Sequence, residues 1–182
     1  MKKLVKCASF AASLLSGTLL IAGIANAAPG PTIPLVGSPT SISFGLFAPN
    51  GGDAETNGGN EQYSLDFRYA LPIPNPLDVP VRTVGDIGLQ TGAKDGNHST
   101  VVPFTVGEMM GANNKSPLAG GNTYFGLGAG VYFLNQSGLS SVARLGGYAQ
   151  LGYNLNSATY LEAKYQFVTH ADGLNVNIGL RF

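Results

Sequence analysis

From residue 40 onward, hydrophobic and polar residues alternate with a period of two in segment after segment. A strand sends successive side chains to opposite faces, so this alternation builds elements with one apolar and one polar side. The clearest case is the last stretch, where Leu174, Val176, Ile178, Leu180 and Phe182 share one parity while Gly173, Asn175, Asn177, Gly179 and Arg181 share the other. Seven further segments follow the same rule, at about 40–48, 61–71, 81–91, 98–110, 122–134, 140–154 and 158–169. In the second, Tyr63, Leu65, Phe67 and Tyr69 oppose Ser64, Asp66, Arg68 and Ala70. The fourth is irregular: Pro103 removes a ladder donor, and Glu108 falls on the apolar parity unless a bulge shifts the register. No segment has convincing helical periodicity, and 49–60 reads as a Gly/Asn-rich loop carrying Asp53 and Glu55.

Short turn signals join the later strands (Asn135–Gly138, Asn154–Ser157 and Ala171–Gly173), which predicts an antiparallel, up-and-down meander of eight strands. Alternation alone does not say whether the apolar face looks into a core or out into lipid, and a soluble lipid-binding barrel has the same period with its faces reversed. Three features favour lipid outside. The polar parity carries Asp66, Arg68, Arg82, Asp86, Arg144, Glu162, Lys164 and Arg181, a set able to pair across an enclosed interior. Gly126, Gly128 and Gly130 on that parity leave room inside a narrow barrel. Tyr63, Tyr69, Phe133, Tyr153, Phe167 and Phe182 lie near strand ends on the apolar parity, where membrane barrels carry aromatic girdles. The predicted fold is thus all-β, a closed transmembrane barrel, because a strand sheet in lipid must close to satisfy its backbone.

Composition agrees. Charged residues form 11% of the chain, against roughly 25% in soluble domains. Lys2, Lys3 and Lys6, the apolar run Ala8–Ile24 and the small-residue site Ala25-Asn26-Ala27 form a secretory signal pattern, so residues 1–27 are expected to be removed. Residues 28–39, with Pro29, Pro31, Pro34 and Pro39, read as an extended lead-in to a barrel over 40–182. The mature chain then holds no cysteine, since Cys7 lies in the signal, and its seven basic and ten acidic residues argue against nucleic-acid binding.

The closing strand of alternating large apolar residues ending in Phe182 resembles the assembly signal of bacterial outer-membrane barrels. The whole of 40–182 is similar to small eight-stranded proteins of the OmpA-domain, OmpX and OmpW type. The resemblance implies an outer-membrane location among phospholipid and lipopolysaccharide. It also implies recognition of Leu174, Val176, Ile178, Leu180 and Phe182 by the outer-membrane assembly machinery. The barrel is further expected to be a monomer without cofactor or metal. The resemblance puts both termini in the periplasm, with 49–60, 92–97, 135–138 and 170–173 outside the cell and the long connectors 72–80 and 111–121 inside.

Other chemistry is weaker. Gly126-Leu127-Gly128-Ala129-Gly130 lacks the following helix that a phosphate-binding glycine loop requires. His98 and His170 near outer strand ends, with Ser99 and Glu162, raise the alternative of a lipid A-modifying enzyme, although no serine stands two residues after His170 as in such deacylases. Asp53, Glu55 and Glu61 match no calcium loop and read as a solvated acidic loop. The expected role is non-enzymatic, structural or surface-interactive, chiefly through loop 49–60, with a narrow solute channel and a soluble periplasmic lipid carrier as further alternatives.

Overall fold

A computed structural model of the chain describes residues 40–71, 73, 81–112 and 122–182. The signal pattern, the Pro-rich lead-in and most of the two long connectors lie outside the described residues. Eight strands form a closed antiparallel barrel, each paired with its sequence neighbours and the last with the first. They are β1 (Thr40–Pro49), β2 (Gln62–Ala70), β3 (Val81–Lys94), β4 (Asn97–Gly111), β5 (Thr123–Gln136), β6 (Val142–Asn154), β7 (Thr159–Phe167) and β8 (Gly173–Arg181). One helix, α1 (Gly52–Gly58), lies between β1 and β2. Four connections, around 50–61, 95–96, 137–141 and 168–172, gather at the hairpin end; the first residue of β1 and the last of β8 lie at the opposite, terminus end.

Faces follow parity. Ile42, Phe44, Leu65, Phe67, Ile87, Leu89, Phe104, Val106, Leu127 and Leu151 are exposed, whereas Ser43, Ser64, Asp66, Gln90, Gln150, Lys164, Asn175 and Asn177 are buried. The greasy side chains therefore look outward and the polar ones are enclosed, the inverse of a water-soluble barrel. Exposed aromatics stand at both rims, with Tyr63, Phe133 and Phe167 at the hairpin end and Tyr153 and Phe182 at the terminus end. In β8, Leu174, Val176, Ile178 and Leu180 sit on this outward parity, and β8 closes the barrel against β1 and β7.

One open point is resolved and two local expectations need correction. No bulge shifts the fourth strand: its pairing with β3 keeps one register from Val81↔Met110 to Lys94↔Asn97, interrupted only where Pro103 offers no N–H. Glu108 consequently does lie on the outer face, where the Thr83 hydroxyl donates to its carboxylate at 2.6 Å. Residues 92–97 are not a loop, because β3 and β4 run on to a two-residue turn at Asp95 (φ 52°) and Gly96 (φ 82°). An Asp-Gly pair with both φ positive matches the twist of antiparallel strands. Replacing Gly96 by Ala should lower the unfolding midpoint by the equivalent of about 1 kcal/mol while Gly96→Asn is better tolerated, since an added Cβ pays for left-handed backbone. Urea unfolding in lipid vesicles checks this.

The second correction concerns 49–60, which is not simply displayed outward. Gly51 (φ 88°) and Gly59 (φ 85°) turn the chain into and out of α1. The helix lies across the hairpin end with Ala54 fully buried beside Phe47, Val101, Tyr132, Leu134, Val168 and Ala171. The Gln62 amide donates to the Ala54 carbonyl at 2.8 Å, and the Ala54 N–H donates to the His170 carbonyl at 3.1 Å.

A closed lumen and an outer rim

The lumen has three layers. The α1 cluster fills the hairpin end, and Val84, Met109, Tyr124 and Tyr160 form a second apolar cluster toward the terminus end. Glycine makes space for the rings on the inner wall. A Cβ on Gly128, Gly152 or Gly179 would collide with the ring of Tyr148, Tyr124 or Tyr160 respectively.

Between these clusters Arg68 reaches across the lumen from β2. Its Nε donates to Asp86 Oδ1 at 2.7 Å, and the second acid, Glu162 on β7, accepts from Nη1 at 2.7 Å and from Nη2 at 3.0 Å. Nη2 also donates to Asp86 Oδ2 at 3.1 Å and Gln150 Oε1 at 2.9 Å. The Tyr124 hydroxyl donates to Glu162 at 2.8 Å. Beside this, Lys164 Nζ lies 3.2 Å from Asp66 Oδ1 and 3.9 Å from Asp86 Oδ2, and the Asn177 amide donates to Asp66 at 2.8 Å. Five charged groups from β2, β3 and β7 are thus tied wall to wall, and all of them are buried. Ion pairs taken from water survive only when their remaining hydrogen-bonding sites are met, and here amides and a phenol meet them.

The other three predicted members of that set do not join it. Arg144 is inward by register, opposite Tyr132, but it stands exposed at the hairpin-end rim. Its strand continues there after the neighbouring β7 has stopped, so no β7 residue stands beside it. Arg82 is half-buried near the other mouth, lining a small cavity with Arg68 and Arg181, and no acid pairs with it among the described residues. Arg181 donates to Asn154 at 2.6 Å and lays its guanidinium over the Tyr160 ring at 4.4 Å, so its partners are an amide and an aromatic face.

At the hairpin-end rim the two histidines have separate partners. His170, whose backbone is left-handed (φ 74°), holds Nδ1 at 2.7 Å from Asp53 of α1. His98 Nδ1 lies 2.9 Å from the Ser137 hydroxyl. Glu162, considered as the acid for His170, is instead spent on Arg68 and Tyr124, and Asp53 belongs to a folded helix rather than a solvated loop. A cleft of about 250 Å³ opens beside the His170–Asp53 pair, lined also by Leu134, Leu139, Ser140, Val142 and Arg144. The partnership of residues 53 and 170 had no signal in the sequence, because the helix that presents Asp53 is only 7 residues long. Among the described residues no three His, Cys, Asp or Glu side chains group as a metal site.

No protein-family model matches the chain, and no curated protein matches it. Solved structures do. The outer membrane protein Ail of Yersinia pestis, in a phospholipid bilayer nanodisc, is 16% identical with a TM-score of 0.50, over 80% of this chain and 100% of its own. Neisserial surface protein A is 14% identical with a TM-score of 0.49, over 79% of this chain and 94% of its own. With its closed meander of eight antiparallel strands, the chain shares the fold of the small outer-membrane β-barrel proteins.

Proposed function

We propose that this chain is a non-enzymatic barrel of the bacterial outer membrane, with its hairpin end toward the exterior, that acts through its rim rather than through its lumen. The observation that carries the reading is the filled interior: Arg68 bridges Asp86 and Glu162 across the barrel, with tyrosine rings on one side and α1 on the other. A barrel of eight strands has an interior just wide enough for side chains, and among the described residues the Arg68 network spans it from wall to wall. Support for the membrane location comes from the outward apolar band and its two aromatic rims. Export by a signal over 1–27 and recognition of the Phe182 strand by the assembly machinery belong to the same proposal.

Refolded protein in a planar bilayer should show no stepwise conductance. Regular single-channel steps from the wild-type chain would overturn the closed-lumen reading in favour of a narrow channel. Expression should leave the mass of lipid A unchanged, and a mass shift lost in His170→Ala would make the protein an enzyme. Unboiled protein should migrate differently from boiled protein in SDS electrophoresis, and extraction by carbonate would reverse the membrane assignment.

A further inference from the structure

The pairing registers leave a notch in the rim. β6 runs alongside β5 as far as Leu134↔Val142, but its pairing with β7 ends at Gly147↔Phe167. Residues 142–146 therefore form an overhang with no β7 partner, next to the 168–172 turn, and the cleft described above lies there. Leu134, Leu139 and Val142 give it an apolar wall. Just outside, on the opposite parity of β6, Leu145 is 83% exposed and belongs to the outward apolar face.

The notch carries groups of both signs. Asp53 lines it with its carboxylate 2.7 Å from His170 Nδ1. Arg144 lines it too, and among the described residues no carboxylate stands within ion-pair distance of its guanidinium. An exposed guanidinium beside an apolar wall, open sideways where acyl chains would lie against Leu145, has the features that hold an anionic group on a lipid. Guanidinium forks match the geometry of phosphate oxygens and bind them through paired hydrogen bonds.

We infer that Arg144 holds a lipid phosphate in this rim notch, with the lipid's chains on the outer face by Leu145; the occupant is a phosphorylated glycolipid of the outer leaflet. This rests on the proposed orientation, which places the hairpin end at that leaflet. The phosphate would meet the guanidinium while the exposed Ser140 hydroxyl offers a neutral donor on the same wall. The His170–Asp53 pair fixes α1 as the floor.

The test is native mass spectrometry of the refolded full barrel in an uncharged detergent. Three probes are used: diphosphorylated lipid A, the same lipid stripped of phosphate, and inorganic phosphate. The wild type should retain lipid A, and Arg144→Ala should weaken retention roughly tenfold or more, as expected for losing a charge-assisted pair. The stripped lipid should be retained as poorly as by the variant, and Arg82→Ala, at the other mouth, should leave retention unchanged. Inorganic phosphate should compete only weakly because the chains contribute; strong competition by it would remove the chains from the face by Leu145. Equal retention by the wild type and Arg144→Ala, or equal retention of the stripped lipid, would overturn the site. Because Arg144 is exposed, the variant should fold, and heat-dependent migration verifies it. A Lys94→Cys variant in intact cells separates the two proposals. If an impermeant maleimide does not label it, the orientation has failed; if it is labelled while Arg144→Ala binds normally, only the rim site has failed.

Discussion

Replacing Arg68 by alanine is expected to destabilise the barrel by about 3–5 kcal/mol, the usual cost of removing one partner from a buried ionic cluster. The side chain is 8% exposed and supplies five hydrogen bonds to Asp86, Glu162 and Gln150. Without it, Glu162 keeps only the Tyr124 hydroxyl among its bonds described above, and Asp86 keeps Lys164 at 3.9 Å. Two carboxylates would then face each other with one distant cation, in a space too narrow to admit much water. The penalty comes chiefly from those stranded acids rather than from the arginine's own worth. A triple variant, Arg68→Met with Asp86→Asn and Glu162→Gln, should therefore recover a large part of the loss, since it removes the charges together. Reversible urea unfolding in lipid vesicles, followed by tyrosine fluorescence or by the heat-dependent gel shift, gives both values. Arg144→Ala is the control, expected within about 0.5 kcal/mol of wild type because its guanidinium is exposed. If Arg68→Ala and Arg144→Ala unfold at the same midpoint, Arg68 does not bind the walls together.

The contrast between these two arginines shows what alternation encodes. Period two is a property of the strand backbone, so the eight strands and the residues that share a face in each were legible in the sequence, while the short turns gave the antiparallel order and the charged parity gave the inner side. Arg68 and Arg144 carry the same inward parity. What separates them is height along the barrel, which depends on where the neighbouring strand stops: β7 ends opposite Gly147, below Arg144. Arg82 and Arg181 are displaced from the network for the related reason that both sit at the far mouth, beyond reach of Asp86 and Glu162 as partners. Helix α1 was missed because two turns are too short to show a period, though Gly51 and Gly59 marked its ends. The Asp95-Gly96 pair, by contrast, was a readable hairpin signal that would have extended β3 and β4 to their full lengths. The partnership of Asp53 with His170 joins segments far apart in sequence, and only closure of the barrel brings them to one rim.

Placing an arginine at Leu65 should cost about 2–4 kcal/mol, the range for a cation on the lipid face near the bilayer midplane. Leu65 points outward from the middle of β2, between Phe44 of β1 and Leu89 of β3, with exposed apolar residues on every side. A charge there has no counter-ion among the described residues and must either enter hydrocarbon or deform the bilayer around it. Depth governs the penalty, so Leu145, three residues from the start of β6, is the matched comparison: Leu145→Arg should cost no more than about 1 kcal/mol, because it lies near the rim. The pair distinguishes lipid from water as the outer medium. In water, both substitutions would replace an exposed apolar side chain by a soluble one and leave the unfolding midpoint nearly unchanged. In lipid, the two must differ, with Leu65→Arg the worse. A difference in that sense that widens in thicker bilayers would place the apolar band in the membrane; equal midpoints for Leu65→Arg and the wild type would remove the membrane from the account and leave a water-soluble barrel with an unusually greasy exterior.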